Sequence, residues 1–170
     1  ESEYSEFLKI KPMKDKYDYL NKQTSQSLHD VARTVAIFSA FTEGVQLFAS
    51  FAILLNFPRH NKMKGMGQII TWSVRDESLH CLSMIRLFNE LIKENPEVWT
   101  TKLKDEIYQA CKIAVAQEDA FINLAFEMGP LENLEAEEVK QYIRWIANRR
   151  LTQLNMQPLY KVDKNPLGWL

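Results

Sequence analysis

From Gln26 to Asn56 the chain contains no proline and a single glycine, Gly44, and Arg33, Glu43 and Gln46 interrupt the apolar stretch from Ala32 to Phe57. A run of that length without helix breakers predicts a long helix that must be covered on most of its sides. A lipid bilayer or a helical bundle would cover it. Spanning a bilayer would leave Glu43 unpaired near the midplane, at a cost of about 2.5 kcal/mol or more. The segment that follows is amphipathic and charged. The buried central helix of an all-α bundle accounts for the same residues without that cost, so no membrane span is expected. Five glycines and six prolines in 170 residues are also too few turn formers for an all-β chain.

The rest of the chain reads as one helical domain over residues 1–170. Residues 1–25 mix aromatics and lysines around Pro12 and form a lead-in with a short helix. Helices occupy 26–155, with Thr24 and Ser25 placed to cap the first. Phe57–Asn61 is a turn, because Pro58 disfavours helix at the residue before it. A second long helix runs from about Lys62 to Glu94. Asn95-Pro96-Glu97 supplies the cap, first proline and first-turn acid of a third, which ends before Gly129-Pro130. A fourth, near Glu135–Asn155, carries Val139, Tyr142, Ile143, Ile146 and Leu151 on one face. Residues 156–170, with Pro158 and Pro166, form an extended tail. The net charge of -1 excludes a sequence-independent nucleic-acid binder. Two cysteines, Cys81 and Cys111, make no disulfide framework and point to a reducing cytoplasm. The chain starts at Glu1 rather than Met, which fits a processed product or a piece of something longer.

The candidate chemistry lies on the first two long helices. Counting 17 residues back from His60 reaches Glu43, and 17 forward reaches Glu77. In an antiparallel hairpin the two carboxylates would lie level, since both helices rise about 1.5 Å per residue. His80 follows Glu77 by three positions and shares its face. Phe38, Phe41, Leu47, Phe48 and Phe51 surround Glu43 in sequence, and an ionised carboxylate in such a setting needs a partner or a proton. Two carboxylates and a neutral imidazole suit a divalent ion such as Fe(II) or Mn(II). Glu-x-x-His alone also fits a solvated Glu77 and a structural His80. The level match with Glu43 strengthens the metal reading and leaves both standing. His29 and His60 read as ordinary, Cys81 as a buried thiol, and the acids of residues 116–121 as a solvated face.

The stretch IITWSVRDESLH at residues 69–80 resembles the radical-generating small (beta) subunit of class I ribonucleotide reductase. So do FTEGVQLFASFA around Glu43, RRLTQLNMQPLY late in the fourth helix, and the closing KNPLGWL. The resemblance implies a ferritin-like di-metal carboxylate bundle. It implies that Glu43, Glu77 and His80 bind one metal of a di-iron, manganese–iron or dimanganese centre. Asp76 matches an Asp that hydrogen-bonds a ligand His of the other half-site and belongs to the radical-transfer route. Leu47, Phe51 and Ser73 match positions around the radical site. The implied enzyme reduces ribonucleotides to deoxyribonucleotides for DNA replication, with the oxidant made in the small subunit and passed to the large (alpha) subunit.

The departures are specific. The chain has no second Glu-x-x-His, no Tyr within the two ligand helices, and no counterpart of the family's C-terminal tail up to Leu170. It corresponds to the C-terminal half of the bundle, with three protein ligands where such a centre needs about six. A second polypeptide or segment carrying the other half, the large subunit, and a homodimer of the complete small subunit are the implied partners. The alternatives are a symmetric di-metal homodimer of this chain and a non-catalytic helical fragment.

Overall fold

The computed structural model describes residues 3–22 and 26–170, so the expected caps Thr24 and Ser25 lie outside the described residues. After a 3-10 turn at Glu3–Lys9 come α1 (Lys11–Asn21) and α2 (Leu28–Ala36), the latter capped by Ser27, whose hydroxyl accepts from the Asp30 amide at 3.1 Å. Then follow α3 (Phe48–Arg59), α4 (Lys64–Glu94), α5 (Thr101–Ala125) and α6 (Ala136–Gln153). No strand occurs among the described residues, and none of their helices is long and apolar enough to cross a membrane.

The expected single helix over 26–56 is broken. Beyond α2 the backbone widens into a π-helix, Ile37–Thr42, and then turns through residues 43–47 before α3 begins. Amide donors there reach five residues back, as in Glu43 N to Phe38 O at 3.0 Å and Gln46 N to Phe41 O at 2.9 Å. Gly44 shows why the segment sits where it does. A Cβ on it would lie 2.9 Å from Cys81 Sγ and 2.7 Å from Arg150 Nε, so only glycine lets α4 and α6 approach this closely.

The α3–α4 turn also differs from expectation. Phe57 and Pro58 are helical, and the reversal comes at His60–Met63, where Asn61 and Met63 have φ of 61° and 49°. Pro58 gives up the bond its N–H would make to Leu54 O and crowds that carbonyl, and its ring packs against Gly67, where a Cβ would meet Pro58 Cγ at 2.6 Å. The third long helix starts later than its Asn-Pro-Glu signal. Pro96–Val98 forms a 3-10 turn, and Thr100 instead caps α5 by accepting from the Leu103 amide at 3.2 Å. Buried Val98, and Trp99 packed edge-on to Phe88 at 5.8 Å, draw this connection into the core before the helix can begin.

Phe41, Phe88, Leu103, Ile107, Ile143 and Leu151 form the centre of one core shared by the helices. All five residues expected on the inner face of α6 are buried. Past α6 the chain has no regular element. Asn148 holds it, accepting from the Leu159 and Tyr160 amides and donating to Tyr160 O.

One acid expected on a solvated face is the most buried acidic side chain among the described residues. Glu118 on α5 is 0% exposed and pairs with Lys16 of α1, 102 positions away in sequence. Its neighbour Asp119 is likewise engaged, taking both guanidinium nitrogens of Arg144 at 2.9 and 2.7 Å. The reading failed because a solvated face was inferred from composition, and the partner that permits burial lies on another helix. Burial pushes the Glu118 carboxyl up from 4.5 to about 7 against the opposing pull of Lys16.

Two expectations follow from this packing. Gly67→Ala should destabilise the protein by about 1–3 kcal/mol through overpacking on Pro58, read as a lower denaturant midpoint. Gly65→Ala, in open space on the same helix, should be neutral or stabilising by up to about 1 kcal/mol. Between pH 4.5 and about 7 the folded chain holds the Glu118 proton that the unfolded chain has released. Stability should therefore fall as pH rises through that window and level off above it. Glu118→Gln should remove that slope in unfolding curves measured across the range.

Candidate metal centre

Glu43 lies in the turn that follows the π-helix, and Glu77 and His80 lie on adjacent turns of α4. One ligand atom from each converges within 4.8 Å of the other two. His80 Nδ1 is 3.6 Å from Glu77 Oε2. Among the described residues no other group of three His, Cys, Asp or Glu side chains converges in this way. The two carboxylates are half-buried, whereas His80 is 59% exposed and opens the cluster toward the outer face of α4.

The donor chemistry fits a metal ion. Glu43 Oε2 is buried and has no hydrogen-bond partner, which is costly for a carboxylate oxygen unless a cation takes its lone pairs. Two carboxylates and one imidazole are oxygen and nitrogen donors of the kind that hold Fe(II) or Mn(II). A cavity of about 380 Å³ adjoins the carboxylates, walled by Glu43, Glu77, Thr42, Ser50 and Leu47 and by Lys16 from α1.

The remaining candidates divide. Asp76 is not part of the cluster. It projects from α4 with its side chain 60% exposed, and its nearest charged neighbour is Arg75, at 3.8 Å. Leu47 lines the cavity, but Phe51 is buried elsewhere, edge-on to Phe48, and the Ser73 hydroxyl donates back to Ile69 O at 3.2 Å. Cys81 is fully buried and faces Gly44 rather than the cluster, and burial raises its thiol pKa. His29 engages Glu106 at 2.8 Å, and His60 lies beside Glu132 at 3.4 Å.

Two residues beside the site had no signal in the sequence, Lys16 and Arg150. Lys16 Nζ donates to Gln46 O at 3.3 Å, and Arg150 Nε donates to Gly44 O at 3.0 Å. Both partners are backbone atoms more than a helix away in sequence, and such contacts have no residue pattern.

Comparison with known proteins agrees with this architecture. The family model described as "Ribonucleotide reductase, small chain" matches residues 1–166. A probable ribonucleoside-diphosphate reductase small subunit of Invertebrate iridescent virus 3 is 44% identical, the match covering 98% of this chain and 49% of that protein. The ribonucleoside-diphosphate reductase subunit beta of Chlamydia pneumoniae is 34% identical over 87% of this chain and 42% of its own length. The chain thus spans about half the length of the curated relatives it matches. Among solved structures, the ribonucleotide reductase R2 subunit of Clostridium botulinum superposes with a TM-score of 0.89 at 22% identity, over 98% of this chain and 54% of that one. A dimanganese(II) NrdF of Streptococcus sanguinis gives 0.77 at 24% identity, over 93% and 53%. The fold is therefore the ferritin-like helical fold of these subunits. By the match over nearly its whole length, this chain belongs to the family of ribonucleotide reductase small chains.

Proposed function

We propose that Glu43, Glu77 and His80 form half of a di-metal centre, in a chain that acts as the C-terminal half of a class I ribonucleotide reductase small subunit. The observation that carries this reading is the convergence of the three ligand atoms around a buried, unpartnered carboxylate oxygen. Glu43 and Glu77 would bring the negative charge that holds a divalent ion, and His80 a neutral nitrogen donor. When bound, a centre of this kind supplies oxygen activation and the oxidant that the large subunit uses to reduce ribonucleotides.

The rest of the ligand set would come from a second polypeptide or segment. Two features of α4 support that. Ile69, Trp72, Leu79 and Leu87 are each more than half exposed on this helix. Asp76 lies on the same helix, its carboxylate free to accept a hydrogen bond from an incoming ligand His. Residues 1–170 would then act as one helical domain that completes its core only on assembly. The complete small subunit would form a homodimer and work with the large subunit in the cytoplasm.

The native assembly, purified with its companion polypeptide, should contain iron or manganese by elemental analysis. His80→Ala and Glu77→Ala should each lower the occupancy. An assembly free of transition metal would overturn the reading in favour of a structural fragment. A second expectation concerns the chain alone. With the α4 face uncovered it should self-associate or precipitate. A well-behaved monomer in sedimentation velocity would count against the half-bundle.

A further inference from the structure

We infer that Lys16 and Arg150 are positioning residues for Glu43, acting as two cationic clamps on the backbone break that carries it. The inference deepens the metal-centre reading and rests on it for its functional consequence.

The break leaves carbonyls out of the helical ladder, and a buried carbonyl needs a donor. Gly44 O and Gln46 O, one and three residues past Glu43, each receive one from outside the helix. Arg150 Nε of α6 reaches Gly44 O at 3.0 Å, and Lys16 Nζ of α1 reaches Gln46 O at 3.3 Å. The two clamps come from different helices and bind different oxygens, so together they fix both the height and the rotation of the segment.

Neither cation is a loose surface group. Arg150 is 6% exposed, stacks over Phe48 at 5.3 Å, and has no carboxylate within 4.0 Å among the described residues. Its other hydrogen bond goes to Gln153 Oε1 at 3.1 Å. A buried guanidinium without an anion is costly, and what it holds is the carbonyl next to Glu43. Lys16 is held by Glu118 and lies 5.1 Å above the Phe121 ring. Gln46 adds a further tie, its amide donating to Gln117 Oε1 at 2.6 Å, and Gln117 donates to Asp15 O at 3.2 Å. Lys16 also walls the cavity beside the two carboxylates, so its removal would be felt at the site itself.

The test uses the native assembly containing this chain, with Lys16→Met, Arg150→Met, Lys16→Arg and Arg150→Lys. Asn148→Ala serves as a control that loosens the tail without touching the break, and Glu77→Gln as a control for the site. Mn(II) is titrated anaerobically, with the free ion counted by its EPR signal. Hydrogen exchange is followed on peptides covering residues 43–49 of the metal-free assembly. Both Met variants should bind Mn(II) about tenfold or more weakly and exchange faster over 43–49. The Arg and Lys replacements should recover part of each loss, and Asn148→Ala should lower the unfolding temperature without changing either readout. Unchanged Mn(II) affinity in both Met variants would overturn the inference, whether or not exchange quickens. If Glu77→Gln binds Mn(II) like the unsubstituted chain, the metal-centre reading fails, and unaltered exchange in the Met variants would then sink the clamps on their own account.

Discussion

A carboxylate oxygen held away from water without a donor is among the more expensive groups a protein can contain. Glu43 Oε2 is such a group, and the surrounding structure is arranged about it. It lies in the most apolar part of the sequence, on a segment whose Phe41, Val45 and Phe48 are buried. Nothing in that shell offers a proton. Its ligand neighbours are Glu77 and His80, beside a cavity also walled by Thr42, Ser50 and Lys16. Another carboxylate there only raises the cost unless a cation stands between them. Two acids and an imidazole in this arrangement are the donor set that the proposed metal centre would use.

The hairpin delivers these groups through a backbone that is not a simple helix. The reversal lies at His60–Met63, later than Pro58 suggests, and a regular α-helix would then put Glu43 level with His80. Glu43 instead follows a widened segment whose amides reach five residues back, and one of its carboxylate oxygens comes within 4.8 Å of ligand atoms of both Glu77 and His80. Gly44 makes this possible by letting α4 and α6 close on the bend. The bend in turn exposes carbonyls that a helix would satisfy, and side chains from α1 and α6 take them over.

Much of this was legible in the sequence, and the limits have physical causes. The helix pattern of Lys64–Glu94 and the buried face of α6 follow from local periodicity, which the chain states residue by residue. Glu77 and His80 share a face by spacing alone, and Glu43 could be reached by counting because a hairpin is nearly a local object. The π-helix was invisible, since Ile37–Thr42 is as good an α-helical sequence as its flanks. Glu118 was misread because acids at helical spacing look solvated until a Lys from 102 positions away is seen to cover one. Pro58 and the Asn-Pro-Glu signal misled for a common reason. Both are local preferences of modest size, overruled by packing against Gly67 in one case and of Trp99 on Phe88 in the other.

Charge counting carries the argument one step past the geometry. Glu43 and Glu77 together neutralise one dication, and His80 adds a donor but no charge. A second dication close by would leave the site strongly positive in a partly apolar setting. More carboxylates must therefore arrive before a pair of metals can be stable. They have one direction of approach. The core side of α4 is filled by Cys81, Ile85 and Phe88, while His80 and Asp76 point away from it among exposed apolar side chains. An acid-bearing helix laid on that face would cover Trp72 and Leu79 and bring its charge to the open side of the cluster in the same step. Under the proposed reading, completion of the core and completion of the site would be one event, in keeping with a chain that spans about half its relatives' length.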